Sequence, residues 1–295
     1  MHSSAHTPAT DRYDHIVVVG VGLIGGSIAK ALKAHGLARK ITGLGRNRAR
    51  LLAAKQAGLI DDVAESVSEL APFSLAVVCT PVDRIPQDVR ALQSVASSDA
   101  LITDAGSVKG HLCEVLNSQP TNGAQFIGSH PMAGSEQGGW EHADAQLFQG
   151  RMCAITPQGH DEAPIQKIER FWTALGMRTV RFQPQQHDQI VALTSHMPHA
   201  TASAVASLLT PEAWPLAATG FRDTTRVAGG DAGLWTSILM ENREAVAGHL
   251  KELTHVLQQF VAALEANDPQ ATEALLARGQ IAREKWIQST LSPEA

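Results

Sequence analysis

The sequence predicts an α/β protein in which a doubly wound, mostly parallel sheet is followed by an all-helical domain. Short apolar runs alternate with helical patterns over residues 14–184, and a glycine-rich turn follows the first run. Residues 185–295 contain no convincing strand. Strand–helix alternation is typical of a parallel sheet covered by helices on both faces. We therefore expect a flexible tail over residues 1–13, a sheet domain over residues 14–184 and a helical domain over residues 185–295.

Seven apolar runs are the predicted strands of the first domain. They are His15–Val19, Ile41–Leu44, Leu75–Cys79, Leu101–Asp104, Gln125–Gly128, Met152–Thr156 and Thr179–Phe182. Helical patterns over Gly25–His35 and Arg48–Gln56 lie between the early strands. Because the strands are separated by such patterns, crossover connections and parallel pairing follow.

In the second domain, a 3–4 spacing of apolar residues predicts long helices. Asp188–Leu209 has this pattern and contains Pro198, which lacks an N–H and predicts a kink. Trp235–Ala266 is predicted as a single helix about 48 Å long. That length exceeds what a domain of this size covers, so we expect homodimerisation along it. Pro269 stops this helix, and Gln270–Gln288 forms the last one.

Composition excludes several classes of protein. The 295 residues are 44% hydrophobic and 18% charged, with a net charge of −5, so no general basic field attracts nucleic acid. No apolar run approaches the roughly 20 residues that span a bilayer. Cys79, Cys113 and Cys153 are far apart and lack CxxC spacing, which is typical of reduced cytoplasmic thiols. We expect a soluble, cytoplasmic protein with no metal site.

The glycine-rich turn predicts a dinucleotide site. Gly20, Gly22 and Gly25 occupy the G-x-G-x-x-G positions between the first strand and a helix, as in Rossmann-like domains. The first glycine permits the turn, the second admits a pyrophosphate and the third allows the helix to pack on the strand. Leu23 and Ile24 open the helix, whose N–H groups face the phosphates. A plain tight turn is the alternative.

The end of the second strand favours NADP over NAD. Gly45 and Arg46 stand where an NAD enzyme places an acidic residue on the ribose. A guanidinium there pairs with a 2′-phosphate. In the alternative interpretation, Arg46 and Arg48 are solvated charges at a helix start, and NAD also serves.

Polar residues follow the next strands at the edge where open α/β sheets bind ligands. Thr80 and Pro81 end one strand, and the segment containing Ser107 ends the next. His130 lies in a predicted loop of glycine and serine residues after a further strand. A histidine beside a dinucleotide site is a candidate catalytic residue, although a structural role remains the alternative.

Ser195, His196 and His199 form a polar group in the first helix of the second domain. The two histidines share a helix face, which suits contact with a substrate. Zinc would require a third ligand, and His187 is poorly placed, so packing is the main alternative.

Two arginines precede the predicted long helix. Arg226 is the candidate for binding a substrate carboxylate, and Arg222 lies one turn earlier. For either arginine the alternative is an ion pair with a nearby acidic residue, namely Asp223, Asp231 or Glu241.

Taken together, the motifs resemble the prephenate/arogenate (cyclohexadienyl) dehydrogenase family of tyrosine biosynthesis, over about residues 14–290. They are Gly20-Val-Gly-Leu-Ile-Gly-Gly-Ser27, Asp104-Ala-Gly-Ser-Val-Lys109, Ser129-His-Pro-Met-Ala-Gly-Ser-Glu136, Ser195-His-Met-Pro-His199 and Phe221-Arg-Asp-Thr-Thr-Arg226. The resemblance implies a Rossmann-like domain, a helical dimerisation domain and NAD(P)-dependent oxidative decarboxylation. Prephenate would give 4-hydroxyphenylpyruvate and CO2, and arogenate would give tyrosine.

The same resemblance implies roles for the site residues. His130 takes the proton of the ring hydroxyl, Ser107 orients that hydroxyl, and Arg226 holds the ring carboxylate. The pocket lining implied by the motif match is Ser195, His196 and His199. His199 suits the keto-acid end of prephenate, so we expect prephenate as the substrate, with arogenate also accepted.

Three alternatives remain open at this stage. An arogenate-specific dehydrogenase differs only in its side-chain pocket. A β-hydroxyacid dehydrogenase-like reductase would carry a lysine in the first helix of the second domain, and residues 188–209 contain none. An NADP-binding sensor would need the glycine turn but not Ser107, His130 and Arg226 together.

Overall fold

The computed structural model describes residues 12–117, 124–134, 137–157 and 159–291. It divides into two compact units, the first ending at Arg243 and the second beginning at Glu244. Most of the predicted tail, residues 1–11, lies outside the described residues. Tyr13, which the prediction placed in the tail, is the first residue of a strand and pairs with Ala38. The predicted boundary between residues 184 and 185 stays a prediction.

The described residues contain eight strands in one sheet. They are β1 (Tyr13–Val19), β2 (Ala38–Leu44), β3 (Asp62–Ala64), β4 (Leu75–Val78), β5 (Leu101–Asp104), β6 (Gln125–Pro131), β7 (Met152–Thr156) and β8 (Arg178–Arg181). Their order is β3-β2-β1-β4-β5-β6-β7-β8, and only β6 and β7 pair antiparallel. The prediction missed β3, because three residues are too few for a recognisable apolar run.

Helices connect the strands and then form the rest of the chain. Those of the first unit are α1 (Leu23–Ala34), α2 (Arg48–Gln56), α3 (Ile85–Gln93), α4 (Gly110–Asn117), α5 (Glu162–Ala174), α6 (Pro184–Val191), α7 (Met197–Ser207), α8 (Thr219–Thr225) and α9 (Ala232–Glu241). The second unit is formed by α10 (Arg243–Glu265) and α11 (Pro269–Leu291). Within the described chain, none of these helices has the length and apolar character needed to cross a membrane.

Both faces of the sheet are buried. Ile16 and Val18 of β1 pack in a core with α1, α2 and α5. Val17 and Val19 point to the opposite face, where they share a core with α3, α4 and Ile238 of α9. Successive residues of a strand alternate between faces, so a central strand covered on both sides is continuously apolar. This confirms the predicted doubly wound α/β architecture.

The order of the strands creates a crevice beside β1. The chain runs from β1 to β2 on one side and later enters β4 on the other. Cys79 N donates a hydrogen bond of 2.7 Å to Val19 O just beyond the ends of these strands. Ligands of open α/β sheets bind at such a switch point, outside the carboxyl ends of the strands.

The predicted loop around His130 is wrong, because β6 continues through that residue. Gln125–Ile127 pair with parallel β5, whereas Gly128–Pro131 pair with antiparallel β7. The second partner extends the ladder beyond the predicted end at Gly128. His130 is therefore fixed by strand geometry near the carboxyl end of β6.

A kink at Pro198 was predicted, and a π-helical segment, Ala192–His196, lies between α6 and α7. Met197 N donates to Ala192 O across five residues, and Pro198 stands in the first turn of α7. Single π-helical turns are rare and frequently occur at functional sites. The first helix of the second half is thus three successive segments.

The single helix predicted over Trp235–Ala266 is wrong. Asn242 separates α9 from α10 and has a non-helical backbone (φ −113°, ψ 26°). Its side chain donates to Asp188 O and to His196 Nδ1, and these contacts hold the break in place. With 23 residues, α10 is about 35 Å long.

Candidate active site

The glycine turn has the geometry that a pyrophosphate requires. Gly20 has φ of +85°, and a side-chain carbon there would lie 3.0 Å from the carbonyl carbon of Cys79. At Gly25 such a carbon would lie 2.2 Å from Gly20 O, whereas at Gly22 it would meet no atom within 4 Å. The turn therefore has no room for a side chain at Gly20 or Gly25, where the backbone packs closely. It is open at Gly22, which fits the close approach of a dinucleotide to the backbone.

The N-terminus of α1 supplies the donors for this site. Leu23 and Ile24 are half-buried in its first turn, and Gly22 provides no side-chain cap for their N–H groups. No acidic residue occupies that turn. Unpaired N–H groups and the positive end of the helix dipole fit an anionic phosphate. On the other side of the crevice, Thr80 Oγ1 donates a hydrogen bond of 2.7 Å to Asp88 Oδ2. The next residue, Pro81, is exposed.

Arg46 is placed differently from its neighbour Arg48. Arg48 forms an ion pair of 3.0 Å with Glu65. Arg46 is exposed just after β2, and no ion pair to it is seen among the described residues. Asn47 caps α2 by accepting from Arg50 N at 3.0 Å. The guanidinium of Arg46 is therefore available to a ligand at the end of β2.

A buried ion pair supports the loop that follows β5. The Lys109 ammonium contacts the Asp104 carboxylate, and both side chains are fully buried. Asp104 also accepts from Ser129 N and Gly106 N, each at 2.9 Å. These bonds tie the loop to the strand that carries His130. Ser107 stands in this loop, and its buried Oγ has no hydrogen-bond partner among the described residues.

His130 is buried in the same region and is 9% exposed. Its Nδ1 lies 2.9 Å from His187 Nε2. Burial lowers the pKa of His130 well below 6.5, and the neighbouring His187 ring and Lys109 ammonium act in the same direction. The imidazole is therefore neutral at physiological pH, the state that a proton acceptor requires.

His196 and His199 meet at the indole of Trp235. The His199 ring stacks on it with 3.5 Å between centroids and 15° between planes, and the His196 ring lies edge-on at 6.2 Å. Burial lowers the pKa of both histidines, that of His196 to about 4. The two histidines, which their spacing places on one helix face, thus contact the same side chain. His199 Nδ1 is buried without a partner among the described residues, whereas Ser195 is half-buried in the π segment.

The segment around Arg226 is helical and does not form the plain connection that was predicted. Arg222 lies in α8 and contacts Asp223 at 3.4 Å. Arg226 is exposed, begins a short 3₁₀ turn that extends to Gly229, and shows no ion pair within the described chain. The next residue, Gly230, packs so closely that a side-chain carbon there would lie 3.1 Å from His199 Cε1. The turn that Arg226 opens therefore leads to the ring of His199.

Sequence reasoning missed several members of this site. His187 was considered only as a metal ligand, and Asp188, Trp235 and Asn242 were read as helix positions. Each acts through a partner distant in sequence, so no local spacing identifies it. No group of three or more His, Cys, Asp or Glu side chains is arranged to hold a metal in the ranges that the structure describes. Part of one motif, residues 135–136, lies outside those ranges.

Comparison with known proteins decides the family. Residues 28–181 match the nucleotide-binding domain of prephenate dehydrogenase, and residues 183–278 match its dimerization domain. The chain belongs to the prephenate dehydrogenase family. The resemblance drawn from the motifs is thereby confirmed, and the protein is an NAD(P)-dependent dehydrogenase. The glycine turn lies just before the first matched range.

Individual relatives of the family carry three different names. A cyclohexadienyl dehydrogenase of Zymomonas mobilis is 33% identical over 86% of this chain and 87% of its own. The structure of a prephenate dehydrogenase from A. aeolicus with hydroxyphenyl propionate and NAD+ is 30% identical, with a TM-score of 0.85 and coverage of 92% and 98%. A Synechocystis arogenate dehydrogenase is 29% identical, with a TM-score of 0.78 and coverage of 92% and 99%.

Proposed function

We propose that this dehydrogenase oxidatively decarboxylates prephenate to 4-hydroxyphenylpyruvate and CO2 in tyrosine biosynthesis, preferring NADP. The proposal is supported by two features of the sheet edge that carries the glycine turn: a buried, neutral His130 and a buried Ser107 hydroxyl without a partner among the described residues. Oxidation of a hydroxyl carbon beside a nicotinamide needs a proton acceptor of this kind. A cytoplasmic location remains a prediction.

His130 acts on the ring hydroxyl of the substrate, which Ser107 orients. As the carbon that bears the hydroxyl is oxidised, its oxygen becomes strongly acidic, so a weak base suffices to take the proton. Loss of the ring carboxylate as CO2 then returns an electron pair to the ring and leaves a phenolate. His130 gives the proton back to that oxygen, and the overall reaction therefore releases no net proton.

The substrate has two carboxylates, and the site offers separate groups for them. Arg226 holds the ring carboxylate until it leaves, because its guanidinium has no competing ion pair among the described residues. His199 serves the side-chain end, where its buried Nδ1 is available. Ser195 and His196 line the pocket between these two ends.

The dinucleotide would be held by Gly20, Gly22, Leu23, Ile24 and Gly25, with Thr80 and Pro81 across the crevice. When bound, the nicotinamide ring accepts the hydride that the substrate loses. Arg46 would pair with the 2′-phosphate of NADP. The A. aeolicus relative was solved with NAD+, and NAD is accordingly the alternative cofactor for this chain.

Arogenate is the second candidate substrate, because one relative is named arogenate dehydrogenase and another cyclohexadienyl dehydrogenase. Arogenate has an ammonium group where prephenate has a keto group. The groups recorded against the His199 ring among the described residues, the Trp235 indole and Gly230, provide no carboxylate for an ammonium. This contact favours the keto acid.

The test is a set of initial rates, measured at 340 nm, for prephenate and arogenate with NAD and with NADP. We expect the highest kcat/KM for prephenate with NADP. His130→Asn should lower kcat by about a hundredfold or more, the usual contribution of general base catalysis. Arogenate turnover alone would replace the proposed substrate. Absence of turnover in all four reactions of a folded, NADP-binding protein would reject the function.

A further inference from the structure

We propose that His187 and Asp188 are positioning residues that fix the tautomer of His130. They form a continuous hydrogen-bonded series in which Asp188 contacts His187 and His187 contacts His130. The inference rests on the proposed function only in taking His130 as the proton acceptor. The order of the atoms along the series determines which nitrogen of His130 carries hydrogen.

The series begins at a carboxylate anchored to the N-terminus of α4. Asp188 Oδ1 accepts from Lys109 N at 2.8 Å, and Oδ2 accepts from Gly110 N at 2.7 Å. A side-chain carbon at Gly110 would lie only 2.8 Å from Oδ2, so the close approach requires glycine there. The backbone of Asp188 is held as well, because Asn242 Nδ2 donates 2.8 Å to its carbonyl. The starting point of the series is therefore rigid.

The direction of each bond follows from the chemistry of the groups. Asp188 Oδ1, an acceptor, lies 2.8 Å from His187 Nδ1, so that nitrogen carries hydrogen. A neutral imidazole with hydrogen on Nδ1 accepts at Nε2. Since His187 Nε2 lies 2.9 Å from His130 Nδ1, the latter donates. His130 Nε2 then keeps its lone pair, and no hydrogen bond to it is seen among the described residues.

The number of hydrogens on the His187 ring decides between two arrangements. A protonated His187 would donate from both nitrogens, and His130 would then carry its hydrogen on Nε2 and have no lone pair for a substrate. His187 is 2% exposed, and the Lys109 ammonium is already buried in the same network. A second buried cation would be costly to desolvate. The neutral arrangement is the one consistent with a working base.

The direct test is nitrogen-15 NMR of the wild-type protein labelled at histidine. His130→Asn and His187→Gln variants assign the signals. We expect both histidines to carry hydrogen on Nδ1, with His130 Nε2 unprotonated at pH 7.5. A signal from His130 with hydrogen on Nε2, or a doubly protonated His187, would overturn the inference. The readout needs neither substrate nor cofactor, so it stands even if the proposed reaction is wrong.

Kinetics of three variants test whether the series matters for turnover. His187→Leu removes the acceptor, and we expect kcat to fall about 10- to 100-fold, part of the general-base contribution, with less than a threefold change in KM. His187→Gln places an amide oxygen near His130 Nδ1 and should restore part of kcat. The matched control is His15→Leu, which removes another buried, hydrogen-bonded histidine of the sheet and should leave kcat unchanged. Equal kcat for His187→Leu and the wild type would overturn the inference.

Discussion

At the scale of single residues, the groups proposed to bind charge are the ones that the folded chain leaves unpaired. Arg222 and Arg48 have acidic partners, whereas neither Arg226 nor Arg46 shows one among the described residues. A guanidinium without an acidic partner in the protein remains free to form an ion pair with an anionic group of a ligand. The assignment of these two arginines therefore depends on a comparison with neighbours of the same type.

We expect Arg226→Ala to raise KM for prephenate by about 10- to 100-fold, the range that loss of a hydrogen bond to a charged group predicts. Arg226→Lys should recover only part of this, because an ammonium cannot form the two-pronged contact. Steady-state kinetics with saturating cofactor provide the measurement. Arg222→Ala is the matched control, and equal effects of the two alanine variants would contradict the role.

Arg46→Ala should raise KM for NADP about tenfold or more and leave KM for NAD nearly unchanged, because only NADP has the 2′-phosphate. Arg48→Ala, which breaks the contact with Glu65, is the matched control for loss of positive charge at the start of α2. An equal rise in KM for NADP and for NAD in Arg46→Ala would show that Arg46 does not bind the 2′-phosphate.

At the scale of elements, the π segment before α7 places ionisable groups where water is excluded. His196 is 1% exposed and accepts from Asn242 Nδ2 at 3.1 Å. Burial lowers its pKa to about 4, against an ordinary value near 6.5. The unfolded chain therefore binds a proton at a pH where the folded chain does not.

This difference predicts that stability falls as the solution becomes acidic. Between pH 6.5 and about 4 the unfolded state holds more protons at His196, so the free energy of unfolding rises with pH across that window. The shift corresponds to roughly 3 kcal/mol. Thermal unfolding measured at pH 7.5, 6 and 5 should show that Tm falls as the pH is lowered. The fall should be smaller in the His196→Gln variant than in the wild type. Parallel curves for the two proteins would contradict the assignment.

The elements also show where prediction from sequence stops. Apolar periodicity located the strands and most helices, because each is a local pattern. The same periodicity predicted α9 and α10 as one helix, since the apolar spacing continues across Asn242. The helix breaks there because Asn242 bonds to Asp188 and His196, which lie far back in the chain. The prediction ended β6 at Gly128 for the same reason: the strand continues only because β7 pairs with it.

At the scale of the whole molecule, α10 carries an apolar stripe that the single chain leaves open to solvent. Leu257, Val261 and Leu264 follow the i, i+4, i+7 spacing of one helix face and are 53%, 53% and 66% exposed. Residues 183–278 match the family's dimerization domain. The predicted homodimer along these helices is therefore the expected form of the enzyme.

Leu257→Glu combined with Val261→Glu should convert the dimer to a monomer, because two buried charges in an apolar interface are costly. Light scattering after gel filtration should show a change from twice the chain mass of 31.4 kDa to that mass. Lys251→Glu introduces a carboxylate elsewhere on α10 and serves as the control. A double variant that remains dimeric would place the interface elsewhere.

The motifs of the site were readable in the sequence to different degrees. The glycine turn and Ser107 each follow a strand and His130 stands near the carboxyl end of one, so sheet topology alone brings them to one edge. Asp188 and Trp235 meet their partners only through helix packing, which one sequence does not reveal. Their contacts emerge only from the folded chain.

The π-helical turn at Ala192–His196 holds one more residue than the α-helical turn it replaces. Deleting one residue from this segment would therefore let α6 and α7 join as one continuous α-helix, with the residues on either side still in register. The side chains inside the turn, Ser195 and His196 among them, would shift around the helix axis instead. Loss of a single codon here would thus disturb one wall of the proposed substrate pocket while the helix itself stayed intact.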